Sequence, residues 1–130
     1  MAQACKVAWT TAGSVPYNRL LAQVNFEPKA LISRYGGELI TAKEAENRNP
    51  IHLISLNANS LMLDASAVTT ESTDLASFAN DGRDYTYEVE NNCRFKLCWN
   101  ARTASYEMWL QALRHIYPGE EILVYKEGVY

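Results

Sequence analysis

The sequence predicts a mostly β fold in which several small sheets are joined by short helices. The apolar runs are short, and turn residues such as Pro28, Gly36 and Pro118 separate them. Two segments, Cys93–Trp99 and Tyr106–Leu113, alternate apolar and polar side chains with the period of a strand. Because almost no long helical pattern competes with these runs, short strands dominate the expected architecture.

The length and composition are those of one ordinary domain, and we expect a single unit over residues 1–130. The chain is 48% hydrophobic and 21% charged, so it can build one core without staples. It has no run of about 18 apolar residues and no signal-peptide pattern at its start, which predicts an intracellular protein without a membrane segment. The three cysteines, Cys5, Cys93 and Cys98, lack metal-ligand spacing. We expect them to be small buried residues, and we expect no metal site.

In the first part of the chain, strands are separated by glycine and proline. We expect strands at Lys6–Trp9, Leu20–Phe26, Ala30–Arg34 and Glu38–Thr41. The segment Thr10–Asn18 contains Gly13 and Pro16, which predicts a loop. Gly36 and Gly37 lie between two apolar runs and indicate a bend or a close approach of two backbones.

Two short helical segments are expected. Thr41–Arg48 is predicted to be a helix, because Thr41 and Glu44 have the spacing of a capping box and Asn49-Pro50 ends the pattern. Leu75–Phe78 is predicted to form a single turn.

The remaining expected strands lie at Ile51–Leu56, Leu61–Asp64, Cys93–Trp99, Tyr106–Leu113 and Ile122–Tyr125. A turn over residues 57–60 makes the first two a hairpin. A helix over Tyr106–Ile116 is the alternative to the fourth strand.

The charge is unevenly distributed along the chain. The net charge is −3, which argues against general binding of nucleic acid. Residues 60–92 hold seven acids and one base, Arg83, so this segment carries −6 and the remainder +3. The acidic segment is either a solvated loop surface or a field that attracts a basic peptide.

Several common catalytic and binding motifs are missing from the sequence. There is no GxSxG, no GxxxxGK and no GxGxxG, so hydrolase and nucleotide-binding classes that use them are not indicated. His52 and His115 lie in apolar contexts that suit structural histidines. Glu120 and Glu121 are adjacent in sequence, and neighbouring strand residues face opposite sides, which makes them a poor acid–base pair. Tyr125 stands out among eight tyrosines, because it ends a strand that follows a Pro-Gly turn.

Six segments resemble, in the same order, those of the SET-domain protein lysine methyltransferases. They are FEPKALISRYGGELI at 26–40, TAKEAENR at 41–48, LMLDAS at 61–66, ASFANDG at 76–82, NNCRF at 91–95 and ALRHIYPGEEILVY at 112–125. The resemblance extends over roughly residues 13–130. It implies a SET-domain fold of several small β-sheets with a C-terminal pseudoknot, in which the segment around residue 80 threads beneath the closing strand.

The sequence also departs from that family at defined positions. Ser77 stands where the family has arginine, and Asp81 stands where it has the histidine of an Asn-His pair. No cysteine cluster flanks the domain, so the chain resembles a minimal SET domain without pre-SET or post-SET clusters.

The resemblance implies transfer of the methyl group of S-adenosyl-L-methionine to a lysine side chain of a protein, with Tyr125 as the catalytic residue. It implies cofactor contacts from Tyr17, Asn18, Tyr35, Phe78, Asn80 and Asp81. Substrate contacts are implied for Tyr125, Tyr130 and His52.

The implied partner is a basic protein or peptide, above all a histone tail, with no direct contact to nucleic acid or membrane. A chromatin role favours a nuclear over a cytoplasmic location, and a homo-oligomer stays open. The alternative is a non-catalytic SET-like or PR-like protein-interaction module, because GEEILVY is close to the variant found in PR domains.

Overall fold

Eight strands form three small antiparallel sheets in the computed structural model, which describes residues 3–12, 15–56, 60–85 and 87–126. The strands are β1 Cys5–Ala12, β2 Val15–Ala22, β3 Leu31–Arg34, β4 Glu38–Thr41, β5 Leu53–Ser55, β6 Leu61–Asp64, β7 Cys93–Asn100 and β8 Ser105–Ala112. β1 pairs with β2, β8 lies between β3 and β7, and β6 lies between β4 and β5. The predicted mostly β fold of small sheets is confirmed.

The β1–β2 hairpin corrects the predicted loop at Thr10–Asn18. β1 continues to Ala12 and β2 starts at Val15, so that Thr11 lies opposite Pro16 in the ladder. A proline is tolerated there because a two-stranded sheet has only edge strands. β2 ends at Ala22, before the predicted end at Phe26.

The β7–β8 hairpin agrees with the predicted alternation and shows that the helical alternative for Tyr106–Ile116 is wrong. β8 is the central strand of its sheet, with partners on both sides. Its alternate residues Met108, Leu110 and Ala112 are all buried, because one face of the strand lies on the core.

The predicted capping box is present at the start of helix α1, Ala42–Ala45. The Glu44 amide donates to Thr41 Oγ1, and the Thr41 amide donates to Glu44 Oε1, both at 3.1 Å. The helix is shorter than predicted, because the residues after Ala45 continue as a turn. A 3-10 turn at Ala76–Phe78 confirms the predicted single turn, and similar turns occupy Pro50–His52 and Gly82–Asp84.

Two glycines allow close approaches between separate parts of the chain. Gly37 has a φ of 129°, and a Cβ atom there would lie 2.3 Å from the Asp64 carbonyl oxygen. A side chain at Gly36 would meet Asp74 Cβ at 2.9 Å. The predicted close backbone approach is therefore confirmed, and residues other than glycine would clash at both positions.

One large apolar cluster connects the sheets. Its most deeply buried side chains include Leu20, Ile54, Leu75, Leu110, Ile116, Ile122 and Val124. Cys5 and Cys93 belong to the same cluster, and burial raises the pKa of each thiol to about 12. Within the described ranges, no helix is both long enough and apolar enough to cross a membrane.

Candidate functional site

The C-terminal segment, residues 121–126, lies between two earlier parts of the chain. On one side Leu123 makes a parallel bridge with Asn80, and on the other Val124 makes a parallel bridge with Cys93. We call this arrangement, residues 121–126 with 80–81 and 92–93, the knot. The segment makes only isolated bridges, so the predicted strand at Ile122–Tyr125 is not part of a regular ladder.

Asn92 fastens the knot with both ends of its side chain. Asn92 Oδ1 accepts the Leu123 amide at 2.9 Å, and Nδ2 donates to the Glu121 carbonyl oxygen at 2.9 Å. The side chain is 2% exposed, so water does not reach these two backbone groups and Asn92 provides their hydrogen-bond partners instead.

Asp81 fastens the other side of the knot. Its carboxylate accepts hydrogen bonds from the Arg83 guanidinium, from Asn91 Nδ2 at 3.1 Å and from the Lys126 amide at 3.0 Å. The Arg83 hydrogen bond, together with the backbone donors, holds the pKa of Asp81 well below its usual range despite burial. Asp81 was expected beside the cofactor, but its carboxylate is engaged by the segment that follows Tyr125.

Tyr125 leaves the knot toward the surface and is 48% exposed. The Arg83 guanidinium carbon lies 4.0 Å from the centroid of the Tyr125 ring. Since Arg83 is also ion-paired with Asp81 at 2.8 Å, the tyrosine ring rests on a cation whose own position is fixed. The knot therefore determines where the Tyr125 side chain points.

A cavity of about 400 Å³ lies beside the knot, and we call it the Asn18 cavity. Its described lining residues come from β2, from the 3-10 turns Pro50–His52 and Ala76–Phe78, from the segment after β6 and from the knot. They are Asn18, Ile51, His52, Ala65, Ser66, Val68, Ser77, Phe78, Asn80 and Lys126. The volume falls in the range of about 300–1,000 Å³ that small-molecule sites occupy.

Local sequence explains why the polar side chains of the 3-10 turn reach this cavity. Ala76 and Ala79 are fully buried in the core. They leave Ser77, Phe78 and Asn80 on the partly exposed side. Asn80 is held there because its Nδ2 donates to the Asn18 carbonyl oxygen at 2.7 Å.

Asn18, which lines the cavity, carries an unsatisfied acceptor. Its Oδ1 atom is buried and has no hydrogen-bond partner in the described part of the chain. A buried oxygen without a donor is unfavourable by about 1–3 kcal/mol, so the atom fits a ligand that brings a donor. A cofactor with an amino group has such a donor.

Tyr35 supports the cavity from behind. It is 6% exposed, and its hydroxyl donates to the His52 carbonyl oxygen at 2.9 Å. Burial, with a smaller effect of the Asp64 charge, raises the pKa of Tyr35 above its ordinary value. Tyr35 thus contacts the cavity wall through His52 and is not among the described residues that line the cavity, so its predicted cofactor contact stays a prediction.

A second cavity, of about 650 Å³, contains Tyr17, and we call it the Tyr17 cavity. Tyr17 packs edge-to-face on Tyr85 with 6.1 Å between ring centroids. The Tyr85 hydroxyl donates to the Glu121 carboxylate, and burial followed by this hydrogen bond raises the pKa of Tyr85 to about 12. Arg19 Nε also binds Glu121, at 3.0 Å.

The structure therefore sorts the residues that the resemblance singled out. Asn18, Phe78, Asn80 and His52 line one cavity, although His52 was assigned to the substrate. Tyr17 lines the other cavity, because neighbouring residues of β2 face opposite sides. Tyr130 lies outside the described residues.

Sequence reasoning missed two residues of the site. Lys126 was not singled out, although it directly follows Tyr125 and the two side chains leave an extended segment on opposite sides. Arg83 was counted only as the lone base of the acidic segment. The Asp-x-Arg spacing of Asp81 and Arg83 was the available signal.

The acidic segment is less charged in space than its composition suggests. Three of its seven acids are ion-paired with arginine: Asp64 with Arg48, Asp74 with Arg34, and Asp81 with Arg83. The field offered to a basic partner therefore comes from the exposed acids that remain.

Comparison with known proteins identifies the fold. No protein-family model matches the sequence, and no curated protein sequence matches it. A humanized mutant of the Chaetomium thermophilum Polycomb Repressive Complex 2 bound to the inhibitor GSK126 matches with a TM-score of 0.72 at 18% identity. The same humanized complex bound to the inhibitor GSK343 matches with a TM-score of 0.73 at 19% identity. ctPRC2 in an autoinhibited conformation bound to S-adenosylmethionine gives 0.72 at 17%.

Each match covers 100% of this chain but 16% of the chain it matches. The matched complexes contain a SET domain, and this protein accordingly has the SET-domain fold. At identities of 17% to 19% the likeness concerns the fold, and this chain spans only a small part of the length of those proteins.

Proposed function

We propose that this protein transfers the methyl group of S-adenosylmethionine to a lysine side chain of another protein. The observation that supports the proposal is the knot, because Tyr125 is half-exposed against Arg83 while the next residue, Lys126, lines the Asn18 cavity. In this arrangement a cofactor and a lysine can approach from opposite sides. The likeness to a complex that binds S-adenosylmethionine supports the same function.

The Asn18 cavity is the proposed cofactor site. Asn18 Oδ1 offers an acceptor to an amino group, and His52 and Phe78 provide flat side chains as walls. When bound, S-adenosylmethionine supplies an activated methyl group, so the protein has little covalent chemistry of its own to perform. Its task is to align the acceptor and to exclude water.

Tyr125 is the proposed catalytic residue. Its hydroxyl would orient the lysine amine, and the ring is held by its contact with Arg83. A lysine amine must be neutral to accept a methyl group, and its ordinary pKa is about 10.4. Leaving water for a narrow passage beside the knot lowers the pKa of the substrate amine.

The proposed substrate is a basic peptide, with a histone tail as the first choice. Glu71, Asp84, Glu88 and Glu90 are exposed acids of the 60–92 segment. They attract a basic chain at long range and speed its association. This substrate implies a chromatin role and a nuclear location.

The test is transfer of a labelled methyl group from S-adenosylmethionine to a histone mixture by the full chain, with Tyr125→Phe as the first variant. We expect the rate of methyl transfer to fall by at least about 100-fold, because the hydroxyl is removed while the ring remains on Arg83. The matched control is Tyr117→Phe, at an exposed tyrosine that stacks on His115, and it should retain full activity. Equal activity of Tyr125→Phe and the wild type would overturn the role of Tyr125.

A non-catalytic SET-like interaction module is the second candidate. The observation that favours it is that the Asp81 carboxylate is bound within the knot, and Ser77 adds no charge to the cavity. This candidate predicts a wild-type protein that binds a basic peptide but transfers no label. Transfer that depends on Tyr125 would exclude it.

A further inference from the structure

Lys126 is a positively charged residue in the lining of the Asn18 cavity. It is half-buried at the end of the knot, and its backbone amide is held by Asp81 at 3.0 Å. It is also the only lysine or arginine among the described residues that line the cavity. A cation at this position is unusual, because the other walls are neutral or apolar.

The ammonium group of Lys126 also has no close counter-ion. Across residues 3–12, 15–56, 60–85 and 87–126, no carboxylate lies within ion-pair distance of it. Burial lowers the pKa of Lys126, and the Asp84 and Asp81 charges oppose that effect only from farther away.

Several arginines of the protein, in contrast to Lys126, contact a carboxylate directly. Five arginines each have a carboxylate within 3.2 Å: Arg19, Arg34, Arg48, Arg83 and Arg114. A partly buried charge without a partner is unfavourable, and a bound anion would relieve that cost. Lys126 therefore fits an anionic group of a ligand in the cavity.

The same cavity is also lined by Asn18, whose side chain carries a hydrogen-bond acceptor. Asn18 Oδ1 is an acceptor without a donor, and Lys126 is a donor without an anion. One ligand fragment satisfies both, namely an α-amino acid, which carries an ammonium and a carboxylate on one carbon. S-adenosylmethionine has that fragment at one end.

We propose that Lys126 binds the carboxylate of the amino acid end of the cofactor. This inference rests on the proposed function, and it assigns a residue that the resemblance does not. Ser77, at the position where the resembled family has arginine, provides no charge, so Lys126 is the available cation. An ammonium–carboxylate hydrogen bond in a partly dry site gives affinity as well as orientation.

The test is a binding cycle by calorimetry at low salt, with two ligands and without turnover. One ligand is S-adenosylhomocysteine, and the other is its carboxamide, in which a neutral amide replaces the carboxylate. We expect Lys126→Met to lower the affinity for S-adenosylhomocysteine by at least about tenfold. The affinity for the carboxamide should stay within about twofold of the wild-type value. Lys126→Arg should recover most of the affinity, because it restores the cation.

Two controls keep the outcomes separate. Lys43→Met, on the exposed face of α1, should bind both ligands as the wild type does. Thermal unfolding of each variant shows whether it is folded, and Lys126→Gln replaces Lys126→Met if that variant is not. If Lys126→Met binds S-adenosylhomocysteine as tightly as the wild type, or loses both ligands equally, the role of Lys126 is overturned while methyl transfer stands. If the wild type binds neither ligand at millimolar concentration, the proposed function itself is overturned.

Discussion

The knot and the Asn18 cavity share a wall, yet they treat buried polar groups in opposite ways. In the knot, the side chains of Asn92 and Asp81 bind two backbone amides, one backbone carbonyl oxygen and the Arg83 guanidinium. In the cavity, Asn18 Oδ1 is without a partner in the described part of the chain. Buried polar groups in proteins are nearly always satisfied, so the two regions are built for different purposes. The knot stabilises the fold, and under the proposed function the cavity gains its missing partners from the cofactor.

The largest expected effect breaks the knot. Asn92→Ala leaves the Leu123 amide and the Glu121 carbonyl oxygen buried without partners, which should lower the free energy of unfolding by about 2–5 kcal/mol. Urea denaturation measures this loss. Asn47→Ala, at an exposed position after α1, is the matched control and should change stability by less than about 0.5 kcal/mol. A similar stability for the two variants would show that the knot does not depend on Asn92.

A smaller effect is expected at Asp81, and it depends on pH. Asp81→Asn keeps a polar side chain but removes the charge that binds Arg83, so we expect a loss of about 1–3 kcal/mol at pH 7. The pKa of Asp81 is depressed in the folded protein, so its contribution is present above the unfolded-state value of about 3.9 and is lost as the pH falls below it. The difference between wild type and variant should therefore shrink on acidification.

Urea denaturation at a series of pH values measures this dependence. Asp84→Asn is the matched control, because Asp84 is an exposed acid of the same 3-10 turn. A difference between Asp81→Asn and the wild type that grows below pH 4 would have the wrong sign for a depressed pKa.

The smallest effect on stability is expected for a substitution in the Asn18 cavity. Asn18→Leu removes an unpartnered buried oxygen and keeps the volume, so stability should stay within about 1 kcal/mol of the wild type. Affinity for S-adenosylmethionine should fall by about tenfold, as calorimetry would measure. The same exchange at the knot, Asn92→Leu, should be strongly destabilising. If both leucine variants lost stability equally, the contrast between the two regions would fail.

Sequence patterns predicted the sheets better than they predicted the hairpin of β1 and β2. The alternation in β7 reports a face on which Cys93, Phe95 and Leu97 pack against the core, although Trp99 at its end is exposed, and alternation is a local property of the chain. Pro16 suggested a loop because proline is unfavourable within sheets. Pro16 lies opposite Thr11 because β1 and β2 pair as two edge strands, and a local sequence pattern does not report this pairing.

The candidate site was predicted in part for a similar reason. The resemblance brought Asn18, Phe78 and Asn80 forward, and the fold gathers them in one cavity. It gave no sign of Lys126, because a single lysine carries no pattern and its significance depends on neighbours far away in sequence. Asp81 was predicted as a cofactor contact, and no sequence pattern indicated its hydrogen bond from the Lys126 amide, because that bond joins positions 45 apart.

The threaded C-terminal segment also has a consequence for how the protein is made. Arg19 and Glu121, which meet in the folded protein, are 102 positions apart along the chain. Contacts between such distant positions form slowly, because a long loop has to close before they contribute. During synthesis, most of the chain leaves the ribosome before residues 121–126 exist. The knot is therefore expected to close after the sheets have formed.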